Sequence, residues 1–234
     1  MRDCEPVRVQ CHLARMPLFA GLSVDLIERI AHKVVPITVL KSHALFHAGD
    51  NCKGMYLVVF GQFKLVFTSF VGAEKVVEII QQGESFGEAI MLAEKKNHIT
   101  SAYALQDSLV LHVPTAAILA ELNNDPKLTA RMIIVLAKQN VRFMNDIESY
   151  ALQSATQRII GYFTNEIPDE AIKADELELE LHVHKGVIAS MLNITQEHFS
   201  RILSDLSARG LILISGRSIR IPKISNLIAF QRSP

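Results

Sequence analysis

Three cysteines, no net charge and no long apolar run narrow this chain by exclusion before any motif is considered. Cys4, Cys11 and Cys52 contain no C-x-x-C pair, and an odd number cannot all pair within one chain, which suits a reducing compartment. The longest apolar runs, residues 56–60 and 132–137, are far too short to span a bilayer. The opening MRDCEPVRVQCHLAR has charges and a proline but lacks the apolar stretch of a secretory signal. A cytoplasmic protein with no membrane partner is therefore expected. With 24 basic and 24 acidic residues, the overall charge by itself argues against a nucleic-acid partner.

What is present points elsewhere. The chain of 234 residues is 49% hydrophobic and 21% charged, with 8 Pro and 11 Gly, an ordinary globular composition for two modest domains. Charge is unevenly placed. After residue 181 the basic residues Lys185, Arg201, Arg209, Arg217, Arg220, Lys223 and Arg232 face only Glu197 and Asp205. Just before it, Asp169, Glu170, Asp175, Glu176, Glu178 and Glu180 face Lys173 alone. The neutral sum hides a basic C-terminal end, the footprint of a DNA-binding element.

Periodicity divides the chain further. Residues 16–34 read as short helices with Ser23 as an N-cap before Leu26, Ile27 and Ile30. From residue 37 to 113, short β-branched and aromatic runs are punctuated by Gly49, Gly61, Gly72 and Gly83, a spacing that predicts an antiparallel sandwich or barrel. Residues 125–150 hold no Gly, and no Pro after Pro126, so one long helix is expected. It carries two apolar stripes. Ile133, Leu136, Met144, Ile147 and Ala151 form one, interrupted by Asn140; Leu128, Met132, Val135 and Phe143 form the other, interrupted by Gln139. One stripe can cover the β-domain and the second can bury itself against another chain. Ser154 offers a fresh N-cap for a helix from 155 to about 166, placing the domain joint at residues 150–154.

Residues 181–222 carry the most specific pattern, a winged helix-turn-helix. A first helix at about 185–192 has Val187, Ile188 and Met191 inside and ends near Asn193, which tolerates a left-handed turn. A second helix, N-capped by Thr195, buries Phe199, Ile202, Leu203 and Leu206 and leaves Gln196, Glu197, Ser200 and Arg201 outward where base edges are read. An Arg can donate twice to guanine and a Glu can accept from cytosine N4. Equally, Glu197 and Arg201 have the i,i+4 spacing of a surface ion pair. Thr195, Lys185, Arg217 and Arg220, with Lys223, are candidates for phosphate contacts, Arg217 and Arg220 on a hairpin turning at Gly216.

With these motifs in place, the chain resembles the cyclic-AMP receptor and fumarate-nitrate-reduction regulator family over nearly its whole length. The resemblance rests on FHAGDNCKGMYLVVFGQFKL, GESFGEAIML, QEHFSRIL and GRSIRI. It implies an α+β chain: an N-terminal double-stranded β-helix (a β-roll or jelly roll) sensing domain over residues 1–124, a dimerisation helix and hinge over 125–153, and a winged helix-turn-helix over 154–234. Glu197, Ser200 and Arg201 match the E-x-x-S-R pattern that the fumarate-nitrate-reduction branch uses on TTGAT-type half-sites. MNDIESYALQSATQRIIGYF resembles the dissimilatory nitrate respiration regulators, which respond to nitric oxide, apparently through haem.

By the same resemblance the effector pocket would involve Gly87, Glu88, Thr100, Ser101, Phe143 and Met144. The family's phosphate-binding Arg is missing from KKNHITSAYAL, and Lys95, Lys96 or His98 would have to replace it. Phe143 and Met144 stand where hydroxyls would face adenine, so cyclic AMP is disfavoured. A four-cysteine iron-sulfur cluster within one chain is excluded by count. Haem is an open alternative, with His12, Cys11 and His98 as candidate ligands. The implied partners are double-stranded DNA, a second copy of the chain, RNA polymerase, and a small-molecule or gas effector. No catalytic residue or metal site is assigned. Two rival readings stay open: a metal-dependent barrel enzyme drawing on His43, His47, His98 and His112, and a nucleotide-binding module acting on a partner protein.

Overall fold

The computed structural model describes residues 6–164, 167–168, 171 and 174–232, and its compact units divide between Arg142 and Phe143. Cys4, Asp169, Glu170, Lys173 and the expected helix end near residue 166 lie outside the described residues.

The first unit opens with helices α1 (Pro6–Arg15) and α2 (Val24–Ala31), the latter capped by Ser23, whose hydroxyl accepts from the Leu26 amide at 3.3 Å. There follow β1 (Val35–Val39), β2 (Ala44–Phe46), β3 (Gly54–Phe60), β4 (Phe63–Thr68), β5 (Glu74–Ile80), β6 (Ser85–Phe86), α3 (Glu88–Leu92), β7 (Ser101–Ala104), β8 (Ser108–Pro114) and α4 (Thr115–Leu122). The strands form two antiparallel sheets, ordered β1-β8-β3-β6 and β2-β7-β4-β5, stacked as a roll. The four spaced glycines all have positive φ, between 81° and 95°, as their turns require. At Gly61 a Cβ would also stand 2.0 Å from the Ser108 hydroxyl, so no side chain fits there.

The sheet containing β3 is buried on both faces, which explains why β3 is apolar without a break. Tyr56 and Val58 point between the sheets, into a core with Phe46, Phe63, Phe86 and Val110. Met55, Leu57 and Val59 point the other way, against Leu13, Phe19, Leu26, Ile30 and Ile118 of the helical layer. The two-residue repeat of a strand thus supplies two separate cores. An ion pair locks the helical layer: Arg29 grips Glu121 through both carboxylate oxygens, at 2.9 and 2.7 Å.

The long helix α5 (Pro126–Leu152) starts at Asp125, whose carboxylate accepts from the amides of Lys127 and Leu128 at 2.8 and 2.9 Å. Leu128 and Met132 are buried in the helical layer, with Val135 and Leu136 packed at its edge. Ile133, Met144 and Ile147 of the first stripe stay 60%, 61% and 67% exposed, but its Leu136 packs on the helical layer and Phe143 of the second stripe is 45% exposed, so the expected stripes separate only in part.

The second unit continues from the last turns of α5 into α6 (Ala155–Thr164), β9 (Leu177–Glu180), α7 (Lys185–Met191), α8 (Gln196–Ala208), β10 (Leu213–Ser215), β11 (Ser218–Ile221) and α9 (Ile224–Gln231). Ser154 caps α6 reciprocally: its hydroxyl accepts from the Gln157 amide at 3.2 Å, and its own amide donates to the Gln157 side chain at 2.8 Å. The wing is a three-stranded sheet, β10-β11-β9, rather than the two-stranded hairpin expected. Its third strand is the alternating LELE of the acidic stretch, with Leu177 buried and the glutamates outward. Helix α9 was also unforeseen; Asp175 starts it from a distance, accepting from the amide and hydroxyl of Ser225 at 2.7 and 2.6 Å. Among the described residues no helix is long and apolar enough to cross a membrane.

Leu128 is fully enclosed, and truncating it leaves a cavity between α5 and the helical layer. Leu128→Ala is expected to cost ~2–5 kcal/mol, read as a lower urea midpoint for the unit containing the roll.

Candidate nucleic-acid interface and effector site

The turn between α7 and α8 is built as the residue types require. Asn193 adopts φ +57°, and the amides of Asn193 and Ile194 return to the carbonyls of Ser190 and Ala189 at 3.1 and 3.0 Å. Thr195 caps α8, its hydroxyl oxygen accepting from the His198 amide at 3.2 Å. Phe199, Ile202, Leu203 and Leu206 are buried, which turns Gln196, Glu197, Ser200 and Arg201 to solvent on the first two turns. The two helices approach closely at Gly186, where a Cβ would lie 2.8 Å from the Gln196 side-chain oxygen. Gln196 therefore lies over α7 while still reaching solvent. Glu197 and Arg201 make no ion pair among the described residues, so the i,i+4 bridge that their spacing permits is not formed.

The basic residues divide by partner. Arg217 is exposed in the two-residue loop, beside Gly216 at φ +61°, that joins β10 to β11. Arg220 is not free as the sequence suggests: it holds Glu176 at 2.6 Å. Arg209 bonds Asp205 at 3.0 Å and stands over the Phe230 ring at 5.2 Å, a structural use. Lys223 is exposed at the start of α9, and Lys185 is half-buried at the start of α7.

In the roll, Gly87 turns the chain at φ +88° and sends Glu88 inward, where it has no exposed surface. One carboxylate oxygen of Glu88 accepts from the Ser85 hydroxyl at 2.8 Å and from the Gln139 amide of α5 at 3.1 Å. The other has no partner among the described residues. Burial pushes the Glu88 carboxyl above the usual range, and nearby Glu84 pushes it the same way. Ser101 is buried with its hydroxyl taken by the Ala48 amide at 2.9 Å, while Thr100 is half-buried. Lys95 and Lys96 are exposed. Phe143 and Met144 belong to the second unit and are 45% and 61% exposed.

His98 does not serve as a replacement cation. Its ring stacks on Phe46 at 3.7 Å, its Nε2 is enclosed without a partner among the described residues, and burial holds its protonation below the usual histidine range. The same enclosure leaves its Nε2 no open side for iron. Cys11 is exposed and His12 half-buried, both on α1. His43 faces the Lys41 carbonyl at 3.1 Å and His47 the Tyr103 hydroxyl at 3.5 Å. No group of three His, Cys, Asp or Glu among the described residues is arranged to hold a metal.

Residues 36–125 match the cyclic nucleotide-binding domain model and residues 157–230 the Crp-like helix-turn-helix domain model, in the order the fold requires. The anaerobic regulatory protein of Pasteurella multocida is 28% identical over 88% of this chain and 74% of its own length. The chain belongs to the Crp/Fnr family. It is accordingly a DNA-binding transcription regulator and not an enzyme. Two solved structures share its architecture. FixK2 from Bradyrhizobium japonicum is 18% identical over 86% of this chain and 98% of that one, with a TM-score of 0.72. DNR from Pseudomonas aeruginosa is 26% identical over 94% and 96%, with a TM-score of 0.50.

For this Crp/Fnr protein, the residues that sequence reasoning missed are the ones that bind its helices together: Ser85 and Gln139 on Glu88, Arg142 on Glu78 at 3.1 Å, and Tyr150 on the Met191 carbonyl at 2.6 Å. Gln139 did leave a signal, as the polar interruption of an apolar stripe. The raised Glu88 carboxyl has a measurable consequence. A folded-state value above the unfolded one favours folding fully at low pH, and that contribution is lost as pH rises through the folded value. Glu88→Gln is therefore expected to raise the thermal midpoint relative to wild type at about pH 8 and to change it little at about pH 5.

Proposed function

We propose that the protein acts as a homodimer on a TTGAT-type palindrome, with Glu197, Ser200 and Arg201 reading bases and an effector held at the roll setting its affinity. Domain limits at residues 1–124, 125–153 and 154–234 go with this reading. The observation that carries it is the first turns of α8: three exposed side chains of the E-x-x-S-R pattern, with Glu197 and Arg201 making no ion pair among the described residues, on a helix fixed by a cap and a buried stripe. Thr195, Lys185 and Arg217 hold phosphates around it, and Arg220 does so only on leaving Glu176. RNA polymerase is the further partner that transcription regulation implies.

Dimerisation is supported by the exposed apolar stripe of α5, where Ile133, Val141, Met144 and Ile147 are all more than half exposed. A second copy covering that stripe would set two recognition helices about one duplex turn apart, ~34 Å, to enter successive major grooves. Ile147→Glu places an unpaired charge in that seam and is expected to give a monomer by sedimentation equilibrium, with loss of binding to the palindrome.

The effector reading is nitric oxide or haem, in keeping with relatives named for anaerobic regulation. No Arg stands in the KKNHITSAYAL segment after Glu88 to neutralise a cyclic phosphate, and the Ser101 hydroxyl already accepts from the Ala48 amide. Cys11 and His12 are the residues open to iron. An absorption spectrum before and after haem and nitric oxide tests this, and tighter DNA binding with cyclic AMP would replace it. The DNA reading is tested by gel shift. Arg201→Ala should cost ~1–3 kcal/mol for each half-site and relax base preference. Absence of sequence-specific binding under every effector condition would sink the proposal.

A further inference from the structure

The joint between α5 and α6 is short, with only Gln153 and Ser154 outside helix, yet a hydrogen bond bridges it. The Tyr150 hydroxyl, three residues before that joint, donates to the carbonyl of Met191 at 2.6 Å. Met191 is the last residue of α7, and carbonyls at a helix C-terminus need partners from outside the helix. The neighbouring carbonyls of Ala189 and Ser190 are closed by the turn's own amides, and that of Met191 takes the tyrosine. Arg158 of α6 lies over the Tyr150 ring, 5.9 Å from its centre, and holds it from the other side of the joint. The Arg158 Nε is buried without a hydrogen-bond partner among the described residues. The ring is half-buried.

The position of this bond matters more than its strength. Met191 lies four residues before the Thr195 cap of the recognition helix, and Asn193 between them sits in the left-handed turn. Tyr150 therefore fastens the end of α5 to the turn that aims α8. A rotation of α5 is passed to α8 through this contact as well as through the covalent joint. We propose that Tyr150 is a positioning residue for DNA recognition, which fixes α8 relative to α5 and thereby sets the half-site spacing the protein accepts.

This inference rests on the homodimer reading, and the test separates the two. The full chain and Tyr150→Phe, which keeps the ring under Arg158 and removes the donor, are compared by fluorescence anisotropy. The probes are a TTGAT palindrome, versions with the spacer lengthened or shortened by one or two base pairs, and a duplex with one half-site. Wild type should discriminate between spacers. In Tyr150→Phe the discrimination should fall at least fivefold while half-site affinity stays within twofold. A merely structural role would lower affinity for all probes together and leave the spacer ratio unchanged, which overturns the proposal. Should Tyr150→Phe fail to fold by circular dichroism, Arg158→Met frees the ring instead and is expected to shift the same ratio in the same direction; an unchanged ratio there also overturns it. Sedimentation equilibrium on wild type runs in parallel: a monomer overturns both readings, whereas a palindrome-binding dimer with unaltered spacer preference overturns this one alone.

Discussion

The structure depends on what α5 has to satisfy along its 27 residues. A helix of that length, ~40 Å, cannot be stabilised by its own hydrogen bonds alone and needs a buried face. Its first turns find one in the helical layer of the roll, through Leu128 and Met132. Beyond that layer the burial stops and directed polar contacts take over: Gln139 to Glu88, Arg142 to Glu78, and Tyr150 to Met191. Each joins the helix to a different element, the first two within the roll unit and the third within the unit of the helix-turn-helix. The apolar residues left over on its exposed side are the cost of that arrangement, offset only if something covers them.

The same economy of polar groups shapes the roll. Glu88 answers to Ser85 and Gln139, and Ser101 answers to Ala48. Both side chains are engaged within the protein. Glu88 has no cation beside it among its hydrogen-bonding partners, only neutral donors, which is why burial governs its proton. Electrostatics in the second unit follow a related pattern. The acidic stretch before the helix-turn-helix is the partner strand of the wing, where Glu176 neutralises Arg220 and Glu178 accepts from Ser218. Acids that border or belong to the sheet thus offset basic residues beside them.

Much of this was legible one element at a time. The glycine spacing announced the roll, Ser23, Thr195 and Ser154 announced helix starts, and the Phe199, Ile202, Leu203, Leu206 stripe announced which side of α8 faces out. These signals are local, carried by residues within a few positions of one another. The LELE strand was misjudged because six acidic residues masked a two-residue alternation. Helix α9 was missed because its cap, Asp175, lies 50 residues away from the Ser225 it holds. His98 looked available as a cation or ligand because a sequence does not show that its ring is stacked beneath Phe46.

By itself, then, the sequence determined the order of the parts and the solvent-facing side of α8, since capping, left-handed turns and hydrophobic periodicity act over a single turn or strand. Only the tertiary structure decided which polar groups are spent. Whether Arg220 is engaged by Glu176, and whether Gln139 breaks a stripe or completes a buried carboxylate, are questions of distance between residues far apart in the chain. A buried polar group must find a partner wherever the fold brings one, and no local pattern records where that is.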